Sequence, residues 1–380
     1  MKFITQLLRI FTGGLFIFSG LVKLNDPMGL SFKLHDYFAP DVLDLPFLDP
    51  YTLPLALIVI ILEVLLGVAL LLGYQTRLTL LLLTGMIAFF TFLTFYSAYY
   101  NKVTDCGCFG DAIPLTPWQS FYKDVILSAA ILLLWMGKKH LRPLLTPNTT
   151  GGLVLLSLVL CVGLAMQVLN HLPFIDFRAY AVGKNLVDGM KSAEELGLEP
   201  TRYGTIYTLK NSTNGELMEV EGQRYIDEKW WEKPEWAIEE SLTRQVLISK
   251  GYEPPIHDFV IMVDDQDFTE EYLASPALLF IVARKLDKAD VQGMSDIRTL
   301  VRQANNAGID AVGATASSST EIERMISVDI INYPVASMDE TTLKTIVRSN
   351  PGVLLISHGV VKGKWHFNDL PDLETLQSLL

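Results

Sequence analysis

Cysteine is nearly absent from this chain: Cys106, Cys108 and Cys161 are the only three among 380 residues. Two thiolates in one loop cannot complete a tetrahedral metal site, and no histidine stands near them in sequence. His140, His171, His257, His358 and His366 show no metal-ligand spacing either, so no metal centre is expected. The second half has no cluster of basic residues. Its acidic balance would repel phosphate backbones, which excludes nucleic acid as a partner. There is no internal repeat and no low-complexity tract. No A-x-A-like site follows "IFTGGLFIFSGLV", which argues against a cleaved signal peptide despite Lys2 and Arg9 ahead of it.

What the sequence does hold is apolar length, confined to one half. Residues 1–170 carry 10 Lys/Arg against 9 Asp/Glu, whereas residues 171–380 carry 20 against 33. The first half reads as membrane, the second as soluble. Spanning a bilayer takes about 20 mostly apolar residues. Five runs approach that length: Leu7–Leu24, Leu53–Gly73, Leu78–Tyr96, Ser120–Met136 and Gly152–Leu169. Five transmembrane helices are predicted. Lys2 and Arg9, Arg77, and the group Lys138, Lys139 and Arg142 fall on one side of such a bundle, which the positive-inside rule makes cytoplasmic. The opposite, periplasmic side then receives the loop Asn25–Thr52, the segment "TDCGCFGDAIPLTPW" and, after an odd number of crossings, the whole soluble half. Cys106 and Cys108 would thus face an oxidising compartment.

Residues 1–145 are expected to form the membrane domain, 146–171 a fifth helix and linker, 172–253 a mixed α/β region, and 254–380 an α/β domain. The first outer loop is rich in apolar residues, including Met28, Leu30, Phe32 and Leu34, and is expected to lie in the interface. In the mixed region "YGTIYTLKN" and "GELMEVEGQRYI" predict a hairpin around "NSTNG", and "KPEWAIEESLTRQVLISKG" predicts a helix stopped by Gly251. Beyond Pro254, "HDFVIMV", "PALLFIVAR" and "DAVGATAS" predict strands. "MSDIRTLVRQANNAG", "STEIERMIS", "TTLKTIVRSN" and "LPDLETLQSLL" predict helices, and "GVLLISHG" with "VVKGKW" predicts an antiparallel hairpin. Strands alternating with helices argue for an open α/β sheet.

The order of these elements, closing on "SNPGVLLISHGVVKGKW", resembles a thioredoxin fold over about 254–380, with Pro351 where that family carries its cis-proline. The resemblance stops at the active site. After "ALLFIVAR", where such proteins place C-x-x-C, this chain reads "KLDKADVQGM", so no thiolate is available for dithiol exchange inside the domain. The membrane half resembles the DoxX family and its MauE-like branch. That resemblance is carried by "FSGLVKLNDPMGL", "LEVLLGVALLLGYQTR" and "CGCFGD", over about 1–140. It implies a four-helix bundle core and membrane-associated redox or disulfide-linked work, without a defined substrate. The fold class expected is therefore a helical transmembrane bundle joined to a thioredoxin-like soluble domain.

The cysteine pair is the first candidate for chemistry. An i, i+2 disulfide closes a very small ring, whose distorted backbone Gly107 suits; such a strained bond would be readily reduced and could pass oxidising equivalents to another thiol pair. A fixed structural link, or two thiols that never react, is the alternative. Asp105 and Asp111 flank the pair and disfavour thiolate. Glu63 lies about ten residues into a helix rising about 1.5 Å per residue, near mid-bilayer, where a carboxylate must be paired or protonated. It is expected either to relay protons or to lock helices together, with Lys123 as its first candidate partner and Lys23 next. Cys161, buried in the fifth helix, is expected to pack. His35 beside Asp36 is a lesser candidate for acid–base work. Trp118, Trp230, Trp231 and Trp236 suit either the membrane interface or a core.

The leading expectation is an inner-membrane protein in which Cys106 and Cys108 exchange disulfides or electrons with an exported or envelope partner. Phe109, Pro351 and Gly352 would contribute to binding, with Pro351 and its strand lining a groove that docks polypeptide. One rival is a non-enzymatic scaffold or assembly factor for an envelope complex. Another is a subunit of a quinone-linked oxidase; a quinone is the only cofactor raised, and nothing in the spacing reveals a site for it. Membrane lipid is an expected contact in every case.

Overall fold

A computed structural model describes residues 1–100, 102–103, 107 and 109–380. Cys106 and Cys108 lie outside the described residues. Among the described residues, five helices are long and apolar enough to cross a membrane. They lie within α1 (Lys2–Asn25), α3 (Thr52–Leu72), α4 (Thr76–Tyr100), α5 (Pro117–Met136) and α6 (Pro147–Asn170), while a shorter α2 (Pro27–Phe38) follows α1. The protein is a multi-pass membrane protein in contact with lipid. The dipeptide Thr-Pro starts both α5 and α6: Thr116 and Thr146 cap the free N–H groups, and the following proline fits the first helical position.

Helices α1 and α3 approach most closely through glycine. A Cβ on Gly67 would stand 2.7 Å from Gly13 O, and one on Gly13 only 3.1 Å from Gly67 O. Small residues are what allow such contact in lipid, where apolar side chains gain nothing from leaving solvent. The remaining core is apolar, with Phe16, Leu70, Leu80, Leu83, Ile131 and Leu134 buried together. α6 joins through Cys161 and Ala165, which pack against Leu24, Ile60 and Val64. Arg9 lies inside α1, at the end of the bundle that also holds Arg142, and is 3 % exposed. Its guanidinium donates to Leu70 O at 2.9 Å and Leu71 O at 2.6 Å in the last turn of α3, and to Arg142 O at 3.2 Å in the segment after α5.

The chain divides into two compact units, Lys184–Val260 and the rest. The smaller unit holds α7 (Leu186–Met190), β1 (Arg202–Asn211), β2 (Leu217–Glu221), α8 (Gly222–Asp227), β3 (Trp236–Ile238) and β4 (Arg244–Ser249). The β1–β2 hairpin agrees with the sequence. The helix expected over "KPEWAIEESLTRQVLISKG" does not form: β3 and β4 both pair antiparallel with β1, and this tertiary pairing overrides the local helical spacing. Trp230 is buried with Leu209 and Val220, whereas Trp231 is exposed; Trp118, on α5, is exposed too.

In the larger unit the C-terminal region runs β5 (Met262–Val263), β6 (Gln266–Asp267), α9 (Thr269–Ala274), β7 (Leu278–Val282), α10 (Val291–Asn306), β8 (Asp310–Thr315), α11 (Ser319–Ser327), β9 (Val335–Ser337), α12 (Glu340–Ile346), β10 (Gly352–Ser357), β11 (Val360–His366) and α13 (Leu373–Ser378). The sheet order is β11-β10-β7-β8-β9-β5-β6. β7, β8 and β9 are parallel neighbours, and β10 and β11 form the expected hairpin, in which β10 pairs antiparallel with β7. β7 is buried on both faces, and α10 covers it with Met294, Ile297, Leu300, Val301 and Ala304 at helical spacing. "HDFVIMV" contributes only the two residues of β5. The Asn350–Pro351 bond is cis.

Candidate functional site in the membrane bundle

Among the described residues, two lysine–carboxylate pairs lie in the bundle, one with both partners buried and one with a buried carboxylate and a half-buried lysine. Lys23 Nζ, on α1, lies 2.7 Å from Glu63 Oε2 and 3.0 Å from Oε1 on α3, and donates to Ser19 Oγ at 3.0 Å. Both side chains are at most 5 % exposed. Lys23 also stands over the Phe90 ring, 4.8 Å from its centroid. Lys23, rather than the expected Lys123, is the residue ion-paired to Glu63. The glycine contact explains why: it brings α1 and α3 nearly to backbone contact, which carries Lys23 onto the face of α3 that bears Glu63.

Lys123 Nζ is 2.7 Å from Asp124 Oδ1. Asp124 is fully buried on α5, and its Oδ2 accepts from Thr94 Oγ1 at 3.0 Å. Asp124 is a site residue absent from the sequence expectations. The signal for it was present, since an acid inside an apolar helix is as costly on α5 as on α3. One small cavity is lined by Ser19, Lys23, Glu63, Lys123 and Asp124 together, between Phe16, Ile87 and Phe90. Four ionisable groups thus share a space otherwise walled by apolar side chains. Each carboxylate has an ammonium at ion-pair distance, an arrangement that offsets the desolvation of both charges.

The segment carrying the cysteines meets this cluster through its described residues. Gly107, between Cys106 and Cys108, has φ +62°, the left-handed conformation that glycine favours. It lines a second cavity together with Lys23 and Thr94. Phe109 is buried against Leu15 and Leu115, and Lys123 Nζ lies 5.4 Å from its ring centroid. Phe109 therefore acts as a wedge in the bundle. Asp111 accepts from Arg348 Nη2 at 3.4 Å, and Arg348 Nε donates to Asp26 at 2.8 Å, so one guanidinium from beyond α12 reaches both the start of α2 and the segment before α5.

Residues 1–137 match the family model described as methylamine utilisation protein MauE. The match runs from the start of α1 to the end of α5 and includes Lys23, Glu63, Lys123 and Asp124. No curated protein matches the chain, and no solved structure does. α6 and the whole C-terminal region lie outside the match.

The other expected site residues lie elsewhere. Pro351 and Gly352 are buried, and a Cβ on Gly352 would meet Val347 at 2.8 Å. Neither offers surface to a docked polypeptide as the structure stands. The face next to them carries Arg284, Lys344 and Arg348, which cover the Phe32 ring of α2. Cys161 is buried among aliphatic side chains. His35 Nδ1 contacts Asp49 rather than Asp36.

Proposed function

We propose that this is a redox protein of the cytoplasmic membrane in which Cys106 and Cys108, on the periplasmic side, exchange a disulfide with the thiols of an exported partner. The observation that carries this reading is the position of Lys23, which lines the cavity of the two lysine–carboxylate pairs and also a second cavity lined by Gly107, the residue between the cysteines. Exchange between a disulfide here and a partner dithiol yields two thiols here and a disulfide there, so two protons move with the two electrons. Glu63 and Asp124, each beside a lysine, are groups that can take up and release them. The MauE match over residues 1–137 is consistent with a membrane role of this type. The C-terminal region is read as thioredoxin-like on its parallel β7–α10–β8 unit and its antiparallel β10–β11 hairpin. With no cysteine of its own it serves contact rather than catalysis.

A second reading, a scaffold in which the thiols never react, draws support from the burial of Pro351 and from that lack of cysteine. One experiment separates the two. Cys108→Ser should trap a mixed disulfide with the partner through Cys106. Full function of the Cys106→Ser/Cys108→Ser double variant would overturn the redox reading in favour of the scaffold.

A further inference from the structure

A cavity of about 160 Å³ lies among α1, α2, residues 173–178 and α12, and Lys23 of the Lys23–Glu63 pair lines one part of it. Arg178 and Arg348 both line it, with side chains 7 % and 6 % exposed. Arg348 is matched by Asp26 and Asp111. Arg178 is not fully satisfied: Nε donates to Asp176 and Nη1 to Thr345 O, while Nη2 has no hydrogen-bond partner among the described residues.

The surroundings carry more positive than negative charge. Asp176 is shared by Arg178 and Lys364, each at 2.7 Å, and Glu340 is shared by Lys285 and Lys344, each at 3.1 Å. Arg284 has no carboxylate within ion-pair distance among the described residues, and its Nε has no hydrogen-bond partner among them. The excess shows in ionisation. Burial, reinforced by the nearby Arg178 and Arg348 charges, outweighs Asp176 and lowers Lys364 to about 8. Arg284 is lowered first by burial and then by Arg348. An uncompensated buried cation is costly, and a chain half with 33 acidic and 20 basic residues had carboxylates to spare for it. No described carboxylate pairs with Arg284 or fills the open position at Arg178 Nη2.

The neighbourhood is also interfacial. α6 ends at Asn170, and Phe174, Ile175 and Phe177 come next with large apolar exposure, Ile175 and Phe177 lining the cavity itself. Apolar side chains just past a transmembrane helix sit at the depth of lipid headgroups and upper acyl chains. Asp36 also lines the cavity and is exposed; its repulsion favours a singly charged group over a more highly charged one.

We propose that this cavity binds a phosphodiester group, with Arg178 as donor and Arg348 and Lys344 as supporting charges, and that an anionic phospholipid supplies it with acyl chains against Ile175 and Phe177. The full-length protein, delipidated in detergent, should retain phosphatidylglycerol over phosphatidylcholine in native mass spectrometry. Arg178→Gln should weaken that retention about tenfold or more, the loss expected for one charged hydrogen bond. Because Arg178 is buried, folding is checked by gel filtration, and the more exposed Lys344→Gln should give a smaller loss. Thermal stabilisation by inorganic phosphate that depends on Arg178, without phosphatidylglycerol retention, would keep the phosphate site and assign it a soluble source. Equal retention of the two lipids with no phosphate effect, or full retention of phosphatidylglycerol by both variants, would overturn the proposal.

Discussion

Lys23 and Glu63 are 40 positions apart in the chain and 2.7 Å apart in space, both sealed inside the bundle. The pair joins α1 to α3, with Ser19 of α1 accepting a further hydrogen bond from Lys23, so its two halves are energetically inseparable.

Removing one half should therefore hurt more than removing both. Glu63→Leu or Lys23→Met alone leaves a bare charge in an apolar setting and is expected to cost about 3–5 kcal/mol. The double variant should recover much of that loss. Unfolding in detergent, arranged as a double-mutant cycle, measures the coupling; additive losses would mean the pair is not formed.

The glycine seam makes a contrasting prediction. Gly67→Ala would press a methyl group onto Gly13 O, and lowered thermal stability should result as α1 and α3 separate. Gly85→Ala, on α4 where nothing lies within 4 Å, should be neutral or slightly stabilising, since alanine is the better helix former. Equal melting temperatures for the two variants would refute the close contact.

Arg9 should tolerate neither loss nor replacement by lysine. Arg9→Gln strips the C-terminal carbonyls of α3 of their donors, and Arg9→Lys offers a point charge where three carbonyls are now reached by a planar fork. Both should lower the unfolding temperature, with glutamine the worse.

Lys364 predicts a rise of stability in alkali. Its pKa is about 8 in the folded protein and near the ordinary lysine value when unfolded, so between those values the unfolded chain binds more protons. Stability from this group should then increase with pH, at up to about 1.4 kcal/mol per pH unit for one proton. Asp176 works at the other end: Lys364 and Arg178 outweigh the opposing effect of burial and hold its carboxyl below the ordinary value, giving stability that is lost as pH falls through that lowered value. Denaturation as a function of pH, compared with Lys364→Met, should show the alkaline slope disappear in the variant.

Much of the architecture was legible in the sequence because it depends on length and period. Five apolar runs of membrane-spanning length stood out, and so did the β10–β11 hairpin, whose His358-Gly359 turn takes positive φ at both residues. Partnership was not legible. Depth alone ranks Lys123 beside Glu63, and only the glycine contact between α1 and α3 brings Lys23 there. Strand β4 was hidden because "RQVLIS" has no strict alternation; its pairing with β1, a contact distant in sequence, decides its state. Pro351 could be located in the chain, but its burial depends on how the surrounding segments fold back over it.

The family match ends at residue 137, yet the packing does not. Leu24, Ile60 and Val64, all inside the matched stretch, are covered by Cys161 and Ala165 of α6, which lies outside it. A fragment cut after α5 would turn that seam toward lipid and lose the helix that shields the outer flank of the α1–α3 contact. The fifth span is thus a structural member of the bundle as well as the tether of the C-terminal half, and the matched domain of this chain is incomplete without it.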